Sequence, residues 1–409
     1  MTKQALFLDF ADAKQQILAH ATAFPQIETL STLDCLHRIT AKPIISPINV
    51  PGFNNSAMDG YAIRLSDLSQ QPVLPVAGKI FAGQSTLPDW PIGTCLRIMT
   101  GAPVPTEAEA VVMQEETEIT DIGIRFTHPV KPKQNIRFLG EDAKQNAEII
   151  PTGQKLTIPM LSSLATLGLT QVEVYKPLKV AIFSTGDELV SLGTELKSGQ
   201  IYDSNRFTLL LLLKQLGCEV IDLGIIPDDE QKIKRAFLQA ADLADLVITS
   251  GGVSVGDADY TKQVLNELGH INFWKIAMKP GKPFAFGHIH KTLFCGLPGN
   301  PVSAVVTFYQ LVQPLILKMS GYTQSPSIQG LQAKTLVNLK KSPGRLDFQR
   351  GQLLVTQSGE LTVTTTGQQG SHITQSLSLA DCFIILEKER GNVTAGEWVT
   401  VELFNALLK

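Results

Sequence analysis

The chain lacks the marks of several functional classes. It has only five cysteines in 409 residues, at positions 35, 95, 218, 295 and 382. None forms a Cys-x-x-Cys, and no histidine is spaced to complete a zinc site, so neither a disulfide framework nor structural zinc organises the fold. Scattered reduced thiols predict a cytoplasmic protein. The one close histidine pair, His288 and His290, reads as the outward face of a strand, and no metal is assigned to it. The formal net charge of −3 leaves no basic footprint for nucleic acid, so an anionic ligand must be met by a local cluster of Lys, Arg or backbone N–H groups. Met1-Thr-Lys-Gln starts the chain without an apolar signal core, and the leucine run Leu209 to Leu213 is too short to span a bilayer. No membrane association is expected.

What is present is 44% hydrophobic residues against 18% charged, enough for several packed cores and for two to four domains. Apolar spacing predicts a helix over Asp9 to Ala23, ended by Phe24-Pro25, and a short helical stretch over Leu30 to Arg38. From Ile48 to Arg137 the texture changes to short apolar runs broken by Gly and Pro, a β-rich inserted module. Ile158 to Val174 returns to a helix and a strand, and Pro177 marks a boundary. Beyond it, strands are predicted at Val180–Ser184, Glu219–Leu223, Leu246–Thr249, Phe273–Ala277 and Leu293–Gly296. They alternate with helices near Asn205–Leu216, Asp229–Leu243, Tyr260–Leu268 and Asn300–Met319, which implies a parallel sheet covered on both faces. After Gly321, short alternating runs suit a small β-barrel or sandwich. The modules are thus residues 1–47 rejoined by 141–176, then 48–140, 177–325 and 326–409.

Three times in the α/β module an apolar strand runs into a small-residue loop and then a helix. The loops are Ser184-Thr-Gly-Asp-Glu-Leu, Thr249-Ser-Gly-Gly-Val-Ser-Val-Gly-Asp-Ala-Asp-Tyr and Gly296-Leu-Pro-Gly-Asn-Pro-Val-Ser. In a doubly wound sheet all three lie at strand carboxyl ends, where glycine admits close backbone approach and helix N-termini offer free N–H groups, so a phosphate-bearing ligand is expected. Tight turns and N-caps use the same residues, so it is the threefold recurrence that argues for a ligand. Glu188, Asp257 and Asp259 sit in these loops and Asp228 follows a strand, carboxylates that would repel phosphate unless a hard cation such as Mg²⁺ lay between. Lys275, Lys279 and Lys282 surround a Pro-Gly turn near the same edge and suggest oxyanion binding, to which Arg345 and Arg350 could add charge.

Taken together, Ser56-Ala-Met-Asp-Gly-Tyr-Ala, Ser184-Thr-Gly-Asp-Glu, Tyr202-Asp-Ser-Asn, Ser250-Gly-Gly-Val-Ser-Val-Gly-Asp, Met278-Lys-Pro-Gly-Lys-Pro and Gly296-Leu-Pro-Gly-Asn-Pro-Val-Ser resemble the molybdopterin molybdenumtransferase family. That family includes bacterial MoeA and the E-domain of gephyrin, and the resemblance spans nearly the whole chain. It implies a multidomain α/β plus β fold: an elongated, discontinuous N-terminal domain, a β-rich inserted domain, a central three-layer α/β/α molybdopterin-binding domain and a C-terminal small β-barrel. It also implies a homodimer with a site shared between subunits, adenylated molybdopterin and molybdate as substrates, molybdenum cofactor and AMP as products, and Mg²⁺ as the required cation. Transient contacts with the molybdopterin adenylyltransferase and with apo-molybdoenzymes are further implied partners.

Residue by residue, the resemblance puts the metal- and phosphate-handling acids on Glu188 and Asp259, with Asp228, Asp257 and Ser254 beside them. Lys275, Lys279, Ser303 and Arg350 become the groups for pterin phosphate or molybdate, and Pro298 and Pro301 shape the adjoining loop. Asp59, Thr100, Arg137 and Asp142 come from the β-rich module and Ser371 from the last one, where His372 stands in place of a second glycine. Rival readings are a dimeric scaffold or molybdopterin carrier without turnover, and a molybdopterin adenylyltransferase. The β-rich insertion and the C-terminal barrel are parts the adenylating enzyme lacks.

Overall fold

The computed structural model describes residues 7–21, 26–251, 260–323, 330–405 and 407–408. Its centre is a sheet in the strand order Glu219–Ile226, Lys179–Thr185, Leu246–Ser250, Thr292–Leu297, Pro283–Ile289, Gly269–Lys275. The first four run parallel, in keeping with the apolar strands and intervening helices. Pro283–Ile289 runs antiparallel to both its neighbours, Thr292–Leu297 and Gly269–Lys275, which corrects the expectation of an all-parallel sheet. The reason is local. Ile289 pairs with Thr292 across the two-residue turn His290-Lys291, with His290 at φ 53°, and so short a turn joins only antiparallel neighbours. His290 therefore belongs to the turn and not to the face of a strand. The strand expected at 273–277 begins earlier, at Gly269, and Pro283–Ile289 is a strand the sequence reading missed.

Two cores flank the sheet, giving the three α/β/α layers. On one face the helix Glu230–Leu243 buries Ile233, Ala236, Phe237, Ala240 and Ala241, a stripe at helical spacing. Asp229 caps it by accepting from the Lys232 N–H at 2.8 Å. Phe237 packs edge-on between Phe183 and Phe294, at ring separations of 4.9 and 5.5 Å. Each fully buried Phe contributes roughly 2–3 kcal/mol of transfer free energy. On the other face lie helix Ser204–Gln215 and the helical run from Pro301 to Met319. That run is long and apolar enough to cross a membrane by length and composition, but 83% of it is buried in the protein, so it is a core helix. A π-helical segment, Phe308–Val312, interrupts it.

At the N-terminus, the helix is Phe10–Ala19, shorter than expected because Asp9 caps its start and His20 its end; residues 22–25 lie outside the described residues. The helical expectation for Leu30 to Arg38 is replaced by strand Ile27–Ser31 and the single turn Thr32–Cys35, since 27–31 pairs antiparallel with Gln171–Tyr175. Ile44–Ile45 likewise pairs with Glu148–Ile150. Segments on both sides of the β-rich region thus meet again. Within that region a four-stranded sheet (Val76–Ile80, Cys95–Ile98, Gly60–Ile63, Ala110–Met113) and a three-stranded one enclose their own apolar clusters.

The C-terminal strands Leu346–Val355, Leu361–Thr365, Leu331–Thr335, Trp398–Leu403 and Cys382–Leu386 close into a barrel through the pairing of the first with the last. A short strand from the α/β region, Met278–Lys279, joins this barrel in parallel, with Met278 opposite Leu346 and Lys279 opposite Asp347. This pairing locates the site.

Candidate functional site

A cavity of about 320 Å³ opens where the Lys279-Pro-Gly-Lys turn meets the barrel. It is lined by Lys279, Lys282, Asn300, Ser303, Arg345, Asp347, Arg350, Gln369 and Ser371, together with Pro280, Gly281, Pro283 and Gly370. Gly281 adopts φ +107°, and a Cβ there would stand 2.4 Å from the Thr307 hydroxyl, so the turn closes onto the long helix only with glycine. Ser303 lies in the first turns of that helix, which begins at Pro301, and the Val302 N–H donates to the Ser371 carbonyl at 3.0 Å. The barrel loop thereby sits over the helix N-terminus.

Arg350 dominates the electrostatics. Only 1% of it is exposed, yet its guanidinium makes no ion pair among the described residues. It donates to neutral groups: Ser376 Oγ at 3.0 Å, the Gly370 carbonyl at 3.3 Å and the Phe348 carbonyl at 3.5 Å. Burial pushes its pKa down to about 10, partly countered by Asp347, so it stays charged at neutral pH. Gln369 clips the same residue from outside, accepting from the Arg350 N–H at 2.7 Å and donating to its carbonyl at 3.2 Å. Lys341, also buried, spends its ammonium on the Ser342 and Arg345 carbonyls, and burial, with Lys279 and Arg345 nearby, lowers its pKa. A buried cluster of cations with neutral partners is built to receive an anion.

Carboxylates gather at neighbouring strand ends. Asp187 and Glu188 follow Lys179–Thr185, and Asp228 follows Glu219–Ile226, with its N–H donating to Asp187 Oδ1 at 3.1 Å. Burial raises the Asp228 pKa, and Asp187 and Glu188 raise it further. None of the three forms an ion pair among the described residues, where no group of three His, Cys, Asp or Glu is placed to hold a metal. Asn205 ties two of the glycine-rich loops together, donating to Ser250 Oγ at 2.8 Å and to the Gly299 carbonyl at 2.7 Å.

In the β-rich region, Asp59 Oδ1 accepts from both the N–H and the hydroxyl of Thr100, at 2.7 and 2.8 Å. These bonds, the backbone one first, hold its pKa below the usual carboxylate value. Arg137 projects from a two-residue strand opposite Asn55, and the Asp142 N–H donates to the Val50 carbonyl at 3.0 Å. Thr100, Arg137 and Asp142 are all exposed.

Family models match most of the chain in turn: the MoeA N-terminal region (domain I and II) over residues 8–168, a probable molybdopterin binding domain over 181–318, and the MoeA C-terminal region (domain IV) over 332–404. The molybdopterin molybdenumtransferase of Haemophilus influenzae is 54% identical over 402 residues, which are 98% of this chain and 100% of that protein. The chain belongs to the molybdopterin molybdenumtransferase (MoeA) family. Molybdopterin molybdenumtransferase 2 of Mycobacterium tuberculosis is 36% identical over 369 residues, 88% of this chain and 90% of that one. A solved molybdopterin biosynthesis MoeA protein from Pyrococcus horikoshii superposes with a TM-score of 0.78 at 31% identity, covering 98% of this chain and 100% of the other.

Against the family pattern, the structure unites Lys279, Ser303, Arg350 and Ser371 on one cavity. Pro301 starts the helix that carries Ser303, and Pro298 is buried in the preceding loop. Lys275 ends a sheet strand opposite Pro283 and does not line the cavity. Asp59, Thr100, Arg137 and Asp142 do not line it either; of these four, Asp59 and Thr100 are bonded to each other, while Arg137 pairs with Asn55 and Asp142 bonds Val50. Ser254, Asp257 and Asp259 fall outside the described residues, so of the expected metal ligands only Glu188 is placed. No sequence motif marks Asp347 or Gln369, Asp187 and Asn300 stand inside two of the loop motifs with nothing to set them apart from their neighbours, and the sequence shows Lys282 only as a neighbour of Lys275 and Lys279. The ring of His372 lies against Gly370, where an added Cβ would come within 2.9 Å of it, while the Ser371 carbonyl keeps its bond to Val302.

Proposed function

We propose that this MoeA-family chain is an enzyme that inserts molybdate into adenylated molybdopterin, releasing AMP and completing molybdenum cofactor. The observation that carries this reading is the buried, ion-pair-free guanidinium of Arg350 facing a cavity that Lys279, Lys282 and Arg345 also line. Four cations and the helix N-terminus at Ser303 suit a tetrahedral dianion. Their role is to hold molybdate beside the pterin's sulfurs against the repulsion of the phosphates. Such preorganised donors are typically worth about 2.7–4 kcal/mol each in the transition state. The glycine-rich loops tied by Asn205 are the natural seat for the nucleotide phosphates. Cleavage of the phosphoanhydride by a molybdate oxygen or water frees AMP.

Mg²⁺ is proposed as the cation. The donors at the strand ends are all carboxylate oxygens, and the raised pKa of Asp228 is that of a carboxylate short of positive charge. Glu188 would hold the ion with Asp257 and Asp259; the described residues alone do not close a ligand set. When bound, the ion would neutralise charge on the phosphoanhydride. Glu188 itself folds back over Gly186, close to the strand end.

The solvent-facing Asp59, Thr100, Arg137 and Asp142 would complete the site from the second subunit of a homodimer in the cytoplasm. Apo-molybdoenzymes and the adenylyltransferase are proposed as transient partners. The test is AMP release from adenylated molybdopterin with Mg²⁺, with and without micromolar molybdate, followed by reconstitution of an apo-molybdoenzyme. Molybdate-dependent release with reconstitution is expected. Tight nucleotide binding without release would overturn the enzymatic reading in favour of a carrier.

A further inference from the structure

Asp347 is out of place in a cavity for anions. It is the only carboxylate among the lining residues, its side chain is 4% exposed, and a dianion seated there would feel its repulsion directly. A purely structural acid in such a place should bond one of the buried cations directly. Asp347 favours the charged forms of Arg350 and Lys341 only from a distance and makes no hydrogen bond to either. The donors of Arg350 go to Ser376, Gly370 and Phe348, and those of Lys341 go to backbone carbonyls. Asp347 Oδ2 instead accepts from Lys279 Nζ at 3.3 Å and from Gln349 Nε2 at 3.3 Å.

Lys279 is the most exposed of these partners, with 47% of its side chain in solvent. Its backbone lies directly opposite Asp347 in the parallel pairing that joins the α/β region to the barrel. The two side chains are therefore held as neighbours by main-chain register, while the ammonium at the end of its flexible stem remains free to turn. At 3.3 Å the contact is longer than the roughly 2.7–2.9 Å of a strong charge-assisted bond, so another anion can take the ammonium from it.

We propose that Asp347 is a built-in competitor for the oxyanion. It holds the Lys279 ammonium when no ligand is bound, yields it to the entering dianion, and reclaims it as the anion leaves. The acid thereby lowers the affinity of an otherwise strongly cationic cavity to a level compatible with turnover. This rests on the reading of the cavity as the molybdate seat. It goes further by assigning Asp347 as the residue that sets affinity and release, not as one that touches the reacting atoms.

The test uses Asp347→Asn, nearly isosteric and still able to accept from Gln349, in the full chain. Molybdate binding is measured by equilibrium dialysis with metal quantification, and AMP release at varied molybdate. Loss of one repelling charge and one competing bond predicts affinity higher by about tenfold. It also predicts a lower half-saturating molybdate concentration together with a lower kcat, because release slows. Unchanged or weaker binding by a folded Asp347→Asn protein overturns the proposal; a structural role would give that result. In a Lys279→Ala background the part of the gain that comes from the competing bond should be lost, leaving only a smaller gain from the removed repulsion. An equal gain there would mean plain repulsion and would also overturn the competitor role. Should Asp347→Asn fail to give a folded protein by circular dichroism, Asp347→Ser carries the same predictions. Failure of the unaltered chain to bind molybdate at all would instead sink the functional reading beneath it.

Discussion

The cation cavity and the carboxylate-bearing loops differ in how far each is finished within one chain. Around Arg350 each guanidinium nitrogen has a neutral partner, the turn at Gly281 closes against Thr307, and a carboxylate is already supplied to Lys279. Around Asp228 the nearest charges are the like charges of Asp187 and Glu188, and Asp59 is fixed by Thr100 on an open face. One region is preorganised; the others are poised for charge or surface that comes from outside. Pairing of Met278–Lys279 with the barrel explains the difference, since it buries the first region under a second module and leaves the acids at open strand ends.

The largest effect that could break this contrast is expected at Arg350. Arg350→Ala should lower molybdate-dependent AMP release by at least about 10²-fold and abolish molybdate binding, whereas Arg350→Lys, which keeps the charge but not the fork, should recover only part of it. Wild-type molybdate affinity in the alanine variant, measured by dialysis, would remove the cavity from the reaction. Asp59→Ala should also cut turnover by about 10²-fold, but with molybdate binding intact. Mixing it with Arg350→Ala under subunit exchange should restore activity if the two groups act across a dimer; no restoration would place the whole site within one chain.

Smaller effects sharpen the same contrast through stability. Gly281→Ala puts a Cβ into Thr307 at a φ that L-residues avoid, so urea unfolding should show a loss of about 1–3 kcal/mol. Full stability would mean the turn is not held as described. The smallest change should come from Asp228→Asn. The folded pKa of Asp228 is raised, so the stability it contributes is present at low pH and is lost as pH rises through that pKa. Without added cation the asparagine variant should be slightly the more stable near neutral pH, the gap closing as pH falls. Added Mg²⁺ should narrow the gap, because an ion held by Glu188 relieves the like-charge repulsion felt by Asp228. A gap that widens on acidification would contradict the assigned cause.

Much of this was legible in sequence, and the failures share a cause. Helices Glu230–Leu243 and Tyr260–Leu268 are legible nearly to the residue, because their apolar periodicity is a local property. Strand Pro283–Ile289 was missed because its run, broken by Gly287 and starting at proline, carries no alternation and is defined by its hairpin partner. Leu30 to Arg38 had a helical pattern, but pairing with residues 171–175, far away in sequence, took its first part into a sheet. The lysines and Arg350 were visible as residues. Asp347 and Gln369 gave no motif, since their roles exist only once the barrel strand lies against the turn.

The sequence by itself determined the family, the order of the modules and the chemical types in the site, since motif residues and short-range periodicity survive in one dimension. The tertiary structure alone decided which cations share a cavity, which one Asp347 restrains, and which acids stand uncompensated. Burial, register and charge separation are properties of distances between segments, and the chain does not carry them until it is folded.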